Sequence, residues 1–181
     1  MVLKKKINVF DYAGDIMKAL DKGVLITTKA DGKVDSMTLG WGTLGIDWSL
    51  PVFTAYIRKS RFTKEQLEKN PEFTVNVTYG AFDPKILGVC GSKSGRDMDK
   101  AKELGLTLVD PEVISVPAVK ELPLTLECRV VCVEKQNTDT MPEEILKEHY
   151  PSEKPTPFGG SLENYHYAFY GQIVSAYMIE D

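Results

Sequence analysis

Hydrophobic and polar positions alternate along the chain with two different periods, which predict a sequence of strands and helices. Residues 8–20 carry Tyr12, Ile16 and Leu20 at helical spacing, which predicts a short amphipathic helix. Asp31 and Gly32 form a hairpin signal after the first predicted strand. Apolar runs predict strands at 23–28, 52–58, 73–78, 124–134 and 166–179, and helices are predicted at 63–69, 96–104 and 143–148. This order favours an antiparallel barrel with peripheral helices.

The strand that returns from the hairpin contains G-x-G-x-x-G, formed by Gly40, Gly42 and Gly45. In a dinucleotide-binding fold this motif opens a helix, but Pro51 follows too soon for a helix to form here. We therefore expect a strand here. Its glycines would let a flat ligand lie against the backbone, because glycine lacks the Cβ that would keep such a ligand away. On that strand we expect Thr38, Gly40 and Gly42 on one face, with Met37, Leu39 and Trp41 on the other.

A second informative segment lies where a predicted strand ends and a helix begins. Arg58, Ser60, Arg61 and Thr63 place cations and hydroxyl groups there, and Thr63 has capping-box spacing to Gln66. Free N–H groups of a helix N-terminus, together with arginine and serine donors, suit a phosphate. The alternative is an ordinary capped helix with a solvated basic rim.

A third segment, residues 94–100, has a similar composition. Ser94 and Asp97 again have capping-box spacing, and Lys100 follows on the predicted helix. Ser94, Gly95 and Arg96 form a turn that offers donors to the polar groups of a ligand. The alternative is a capped helix whose charges pair at i,i+3 spacing.

The histidines and cysteines carry weaker signals. His166 opens the last strand among aromatic residues, where it is either a wall over a flat ligand or a structural histidine. His149 lies in a polar segment and is expected at the surface. Cys90, Cys128 and Cys132 complete neither a zinc ligand set nor a disulfide framework, so no metal site is predicted.

Composition narrows the possible classes of protein. The 181 residues suit one domain, 1–181, with 43% hydrophobic and 27% charged residues. A formal net charge of −4 gives no indication of a nucleic-acid partner. No apolar run reaches the roughly 18 residues of a membrane span, and no apolar stretch follows the basic N-terminus as in a signal peptide. With an odd number of cysteines, the expected compartment is the cytoplasm.

Taken together, these blocks resemble a known family. The blocks are MTLGWG at 37–42, PVFTAYIRKSRFT at 51–63, FTVN at 73–76, SGRDMDK at 94–100, LECRVV at 126–131 and HYAFYGQIV at 166–174. In this order they resemble the flavin reductase-like, FMN-binding split-barrel proteins, and among these the flavoredoxin branch. The likeness covers residues 23–176, and the ordered set is far more specific than any single block.

The resemblance implies a mainly β fold: a six-stranded antiparallel Greek-key split barrel with peripheral α-helices. It further implies a homodimer with FMN held near the dimer interface and with His166 where a nicotinamide approaches. The implied FMN-binding residues are Met37, Thr38, Leu39, Gly40 and Trp41 for the ring system, Arg58, Ser60, Arg61 and Thr63 for the phosphate, and Ser94, Gly95, Arg96 and Lys100 along the same site.

The activity implied by the resemblance is an NAD(P)H-dependent flavin reductase, in which NADH or NADPH passes hydride to flavin N5. This step requires no acid or base from the protein, so no catalytic side chain is predicted. Two alternatives stay open: a flavoredoxin-type electron carrier whose bound FMN is reduced by a redox partner protein, and a binding module without a redox role. Residues 135–165, longer at 141–164 than in the simplest members, form a lid, a partner contact or an insertion.

Overall fold

A computed structural model describes residues 2–157 and 159–180. Its strands are β1 (Leu3–Lys6), β2 (Val24–Ala30), β3 (Lys33–Leu39), β4 (Gly42–Asp47), β5 (Leu50–Arg58), β6 (Glu72–Val77), β7 (Leu108–Val109), β8 (Ala118–Val119), β9 (Leu124–Lys135) and β10 (His166–Glu180). Its α-helices are α1 (Ala13–Lys22), α2 (Phe62–Lys69), α3 (Lys85–Ser92), α4 (Lys100–Leu104) and α5 (Glu143–His149). The predicted domain 1–181 includes residues 1, 158 and 181, which lie outside the described residues.

The main sheet is antiparallel and closes on itself. Its order is β3-β2-β6-β9-β10-β5-β4, and β1 pairs with the far end of β10. The strands β3 and β4 are at opposite ends of this order, yet only Gly40 and Trp41 separate them in the chain. Because neighbouring strands are about 4.8 Å apart, a two-residue link requires the sheet to curl until its ends meet. The Tyr56 N–H fastens this link to β5 by donating to the Trp41 carbonyl at 3.1 Å.

Alternate residues of the strands fill one core inside this barrel, as a period of two requires. The buried cluster contains Val24 and Ile26, Met37 and Leu39, Phe53, Ala55 and Ile57, Phe73, Val75 and Val77, Leu124, Leu126 and Cys128, and Phe169 and Ile173. The helix α1 adds Ile16 and Leu20 to the same cluster. A smaller cluster outside the barrel packs α3 against Leu25 of β2. Side chains of β3 and β5 that point away from the core are therefore available to form a site beside α3.

The mainly β fold class with peripheral helices is confirmed, whereas the expected count of six strands is too low. The lysines at 4–6 lie in β1, which pairs with β10 and was not among the predicted strands. The glycine segment is two strands, β3 and β4, with the chain crossing between sheet ends at Gly40 and Trp41. Gly40 and Gly42 therefore do not share a face of one strand, which corrects the sequence-based expectation.

The helices predicted at 63–69 and 143–148 are confirmed, and residues 8–20 form a 3₁₀ turn at Val9–Tyr12 followed by α1, but the predicted capping is not observed. Instead of Thr63, Arg61 is the N-cap of α2, without a side-chain capping bond. The helix α4 begins at Lys100 rather than Arg96, because the Asp99 side chain caps it by accepting from Lys102 N at 3.1 Å. In the described ranges, the helices are too short or too polar to cross a membrane. The helix α3 was missed by the sequence analysis.

Candidate functional site

Two adjoining cavities lie beside β3, between the end of β5 and α3. The larger, about 270 Å³, will be called the ring cavity, and the smaller, about 120 Å³, the anion cavity. Met37 and Arg61 line both, so the two form one cleft. The ring cavity contains Met37, Thr38, Leu39, Gly40, Trp41, Arg58 and His166, and the anion cavity contains Ser60, Arg61, Thr63, Ser94, Gly95, Arg96 and Lys100. Every residue predicted for the site lines this cleft.

The ring cavity has an open wall at Gly40. A Cβ built on Gly40 would meet no atom within 4 Å, and its φ is not in the left-handed region. Neither backbone strain nor packing within the described chain therefore requires glycine at this position. Trp41 and Tyr56 lie beside Gly40 in the ring cavity, so the space in front of Gly40 fits a flat ligand that lies against the backbone.

The anion cavity lies at the N-terminus of α2. The turn before this helix is closed by the Arg61 N–H, which donates to the Arg58 carbonyl at 3.0 Å. Thr63 is buried and its hydroxyl points to Met37, with Oγ1 3.5 Å from Sδ. Burial lowers the pKa of the Arg61 guanidinium. Hydroxyl groups, a guanidinium and the start of a helix together favour an anion here.

Two of the predicted cations are neutralised by acidic partners. Lys100 is buried beside Asp35, with Nζ 3.0 Å from Oδ1, and it donates to the Ser36 carbonyl at 2.6 Å. Arg96 forms an ion pair with Glu65 and donates to the Ser60 carbonyl at 3.2 Å. These two side chains consequently shape the anion cavity more than they add net charge to it.

The predicted capping boxes are wrong because their side chains have other partners. Gln66 accepts from the Thr28 hydroxyl at 2.5 Å and donates to the Lys33 carbonyl at 2.9 Å. Ser94 accepts from the Arg96 N–H at 3.2 Å and so stabilises a turn before α4. The side chains are thus used to attach α2 to the barrel and to shape the wall of the cleft.

The described residues of 135–165, which will be called the crossing segment, contact two side chains of the ring cavity, Trp41 and Arg58, through His149, Tyr150 and Asn164. Arg58 is 7% exposed, with its guanidinium 5.6 Å from the Trp41 ring centroid and 5.5 Å from that of Tyr150. Its Nη1 donates to the Asn164 carbonyl at 3.2 Å, and Asn164 Oδ1 accepts from the Ser60 N–H at 3.0 Å. The crossing segment therefore holds the strand end that carries the predicted phosphate ligands.

His149 is at the surface, as expected from the sequence, with 34% of its side chain exposed, and it also contacts the site. Its ring meets the Trp41 indole edge to face, with centroids 5.0 Å apart. His166 lies on the same indole at 4.6 Å with an interplanar angle of 34°. Trp41 therefore contacts both histidines, while 39% of its surface stays exposed.

The electrostatics of the ring cavity keep His166 neutral. The register of β5 and β10 places His166 directly opposite Arg58. Burial, followed by the charges of Arg58, Arg61 and His149, lowers the pKa of His166 to about 3. Burial also lowers the pKa of Arg58, and its neighbour Arg61 lowers it further, while Tyr150 has the opposite effect. The cavity accordingly combines positive charge with a neutral imidazole, an environment that favours an anionic ligand.

Sequence reasoning missed several side chains of the cleft. Tyr56 shares the outer face of β5 with Arg58, and period-two alternation could have identified it. Tyr150 and Asn164 approach from more than ninety positions along the chain, and no local pattern connects them to Arg58. Only the path of the crossing segment brings them to the site.

The closed antiparallel barrel and its basic, aromatic cleft define a ligand-binding β protein in which a flat group and an anion can be held side by side. The chain belongs to the flavin reductase like domain family, whose family model matches residues 17–181.

Individual relatives agree with this assignment. An uncharacterized protein of Archaeoglobus fulgidus is 33% identical over 99 residues, covering 55% of each chain. The chain spans 55–58% of the length of the curated relatives it matches. The solved flavoredoxin from Methanosarcina acetivorans is similar with a TM-score of 0.62 and 28% identity, over 86% of this chain and 67% of that one. An FMN-binding domain of a flavin reductases-like enzyme from Shewanella baltica shares the fold, with a TM-score of 0.64 and 17% identity, over 98% and 78%.

Proposed function

We propose that the cleft binds FMN and that the chain is an NAD(P)H-dependent flavin reductase. The observation that carries the proposal is the meeting of three separate segments, 37–41, 58–63 and 94–100, in one cleft. Met37 to Trp41 would contact the ring system, and Ser60, Arg61 and Thr63 would hold the phosphate. Ser94, Gly95, Arg96 and Lys100 would complete the phosphate side. The family supports the choice of a flavin as the ligand.

FMN would supply the redox chemistry, accepting hydride from NADH or NADPH at flavin N5. The protein's part is to bind and orient. Arg58 and Arg61 give the cleft a positive potential that favours a phosphate and any negative charge on the ring system. Trp41 and His149 would add aromatic surface beside the ring system. His166 stays neutral and so adds no competing charge.

A second candidate is an electron carrier of the flavoredoxin type, whose bound FMN is reduced by a protein partner. The packing of His149 and His166 on Trp41, with Tyr150 against His166, favours it, because these rings already occupy one side of the ring cavity. Stopped-flow mixing of the FMN-saturated protein with NADH and with NADPH separates the two. Rapid bleaching of flavin absorbance with either nucleotide supports the reductase, and an unchanged spectrum with both leaves the carrier.

The phosphate position is tested by substitution. Replacing Ser60 and Arg61 with alanine removes a hydroxyl and a guanidinium from the anion cavity, and each charged hydrogen bond is worth about 1.5–3 kcal/mol. We expect the FMN dissociation constant to rise at least about tenfold. Unchanged FMN affinity would show that the phosphate lies elsewhere, and a protein that takes up no added FMN would leave only a binding module without flavin.

We further propose that the chain acts as a homodimer in the cytoplasm. The hairpin of β4 and β5 exposes two large apolar side chains, Ile46 at 71% and Trp48 at 56%. Val131 and Val133 of β9 are also exposed, on the same sheet. Large exposed apolar side chains concentrated on one region of a surface favour a protein partner, and a second copy of the chain is the partner proposed.

A further inference from the structure

Tyr150 connects the crossing segment to His166 through a single hydroxyl group. Its oxygen is hydrogen-bonded to His166 Nδ1 and lies 3.2 Å from Gln136 Oε1. Tyr150 is 2% exposed and His166 is 5% exposed, so their mutual bond is buried, while Gln136 is partly exposed. The backbone N–H of Gln136 also donates to the His166 carbonyl at 3.1 Å, which fixes the position of Gln136 beside His166.

The number of hydrogens in this group sets the tautomer of His166. A tyrosine hydroxyl has one hydrogen to donate, and a carboxamide oxygen can only accept. The Tyr150 hydrogen therefore goes to Gln136, and the Tyr150 oxygen accepts from His166 Nδ1–H. Because the pKa of His166 is about 3, the imidazole is neutral near pH 7 and carries one N–H. Its Nε2 is then left with a lone pair.

We propose that Tyr150, together with Gln136, is a positioning residue that holds His166 in the Nδ1–H tautomer and so presents Nε2 to the ring cavity as a hydrogen-bond acceptor. His166 lines this cavity, and within residues 2–157 and 159–180 its Nε2 has no hydrogen-bond partner. A ligand group that faces Nε2 is therefore an N–H or O–H donor. Carbonyl and carboxylate oxygens are directed instead to Arg58 and Arg61.

The requirement that a ligand group facing Nε2 be a hydrogen-bond donor will be called the donor rule. It implies a preference among co-substrates, which rests on the proposed function. The carboxamide of a nicotinamide has N–H groups to give, whereas an ester in its place has none. A site that expects a donor rejects an analogue without one, because its own polar atom is then left unpaired.

The tautomer is read directly from long-range ¹H–¹⁵N correlation spectra of the ¹⁵N-histidine-labelled protein at pH 7, with and without added FMN. His149→Gln assigns the signals, because the sequence contains two histidines. We expect His166 with a protonated Nδ1 and an unprotonated Nε2. A His166 that is protonated at Nε2 in the native chain would overturn the proposal.

A matched pair of variants tests the role of Gln136. Gln136→Glu keeps an acceptor for the Tyr150 hydroxyl and is expected to keep the Nδ1–H tautomer. Gln136→Met removes the acceptor, so the hydroxyl turns to His166 Nδ1 and the tautomer reverses to Nε2–H. Tyr150→Phe retains the ring beside Arg58 and loses the preference. The same tautomer in both Gln136 variants would contradict the proposed relay, because loss of packing alone does not reverse a tautomer.

The ligand preference is measured separately on the FMN-saturated protein, with nicotinamide and methyl nicotinate as probes. We expect nicotinamide to shift the His166 Nε2 signal and to bind about fivefold more tightly than the ester, as one hydrogen bond would give. Equal affinities would contradict the donor rule. A protein that binds no FMN would instead contradict the proposed function, while the tautomer measurement would still decide the role of Tyr150.

Discussion

Gly40 and Gly42 are two residues apart and differ in what surrounds their missing side chains. A Cβ on Gly40 meets no atom within 4 Å, whereas one on Gly42 would lie 2.8 Å from the Thr54 carbonyl oxygen. We therefore predict that Gly40→Val raises the FMN dissociation constant at least about tenfold while changing the free energy of unfolding by less than about 0.5 kcal/mol. Gly42→Ala is the matched control and should lose about 1–3 kcal/mol through overpacking.

Fluorescence titration with FMN and urea denaturation measure these two effects independently. The combination matters, since a variant that loses FMN and stability together is simply less folded. Wild-type FMN affinity in a stable Gly40→Val protein would mean that the ring system does not lie against this backbone.

His166 gives the chain a stability that depends on pH. Its pKa is about 3 in the folded chain and about 6.5 in the unfolded one, so between these values the unfolded chain binds more protons. The stabilisation is therefore complete above pH 6.5 and decreases as pH falls towards 3. We predict that His166→Gln removes about 2 kcal/mol of the stability difference between pH 7 and pH 5, measured by urea denaturation at both pH values. Equal pH dependence in both proteins would mean that His166 has the same pKa in the folded and the unfolded chain.

At the scale of elements, the helix α5 covers Trp41 through His149, whose ring centroid lies 5.0 Å from that of the indole. The indole is 39% exposed with His149 in place, and we predict that His149→Ala exposes more of it and increases acrylamide quenching of its fluorescence by up to about twofold. A Trp48→Phe background restricts the emission to Trp41, since the sequence contains two tryptophans. Unchanged quenching would show that the rest of the crossing segment protects Trp41 without His149.

The loop at residues 112–114 is attached to the sheet through one buried carboxylate. Glu127 of β9 accepts from the backbone N–H groups of Glu112, Val113 and Ile114 at 2.7–3.2 Å, and from the Tyr177 hydroxyl at 3.0 Å. Glu127→Gln directs an NH₂ group against these donors, and we predict a loss of about 2–4 kcal/mol in urea denaturation. Tyr177→Phe removes one of the four bonds and should lose about 1 kcal/mol. A similar loss in both variants would mean that the backbone bonds to Glu127 add little.

Strands with apolar alternation could be predicted from the sequence because their signal is local. The β4–β5 hairpin could not, since its turn is formed by Trp48 and Ser49 with φ of 50° and 60°, in a conformation usually taken by asparagine or glycine. Thr63 and Gln66 have the spacing of a capping box but serve contacts with Met37 and Thr28, which are distant in sequence. The family resemblance identified the residues of the cleft. It did not identify Tyr150, because the contact of Tyr150 with Arg58 depends on how residues 135–165 fold back onto the barrel, and no local pattern in the sequence encodes that.

For the whole molecule, closure of the sheet is what assembles the site. The two-residue link at Gly40 and Trp41 joins the ends of the sheet order and places β3 beside the end of β5. The register of β5 and β10 then puts Arg58 opposite His166. Segments separated by more than a hundred residues meet in one cleft for this reason, although the link itself contains no charged group.

The same closure leaves the β4–β5 hairpin on the outside, where it is expected to meet a second copy of the chain. We predict that the wild-type protein sediments at twice its monomer mass of 20.2 kDa. The double variant Ile46→Lys, Trp48→Asn should raise the dimer dissociation constant at least about a hundredfold, because each buried apolar side chain contributes about 1.5–3 kcal/mol. Asparagine is chosen at 48 because it tolerates the positive φ of the turn. Val113→Lys, an exposed apolar position outside the sheet, serves as the control and should leave association unchanged. A monomeric wild-type protein at micromolar concentration would exclude this hairpin as a stable dimer contact.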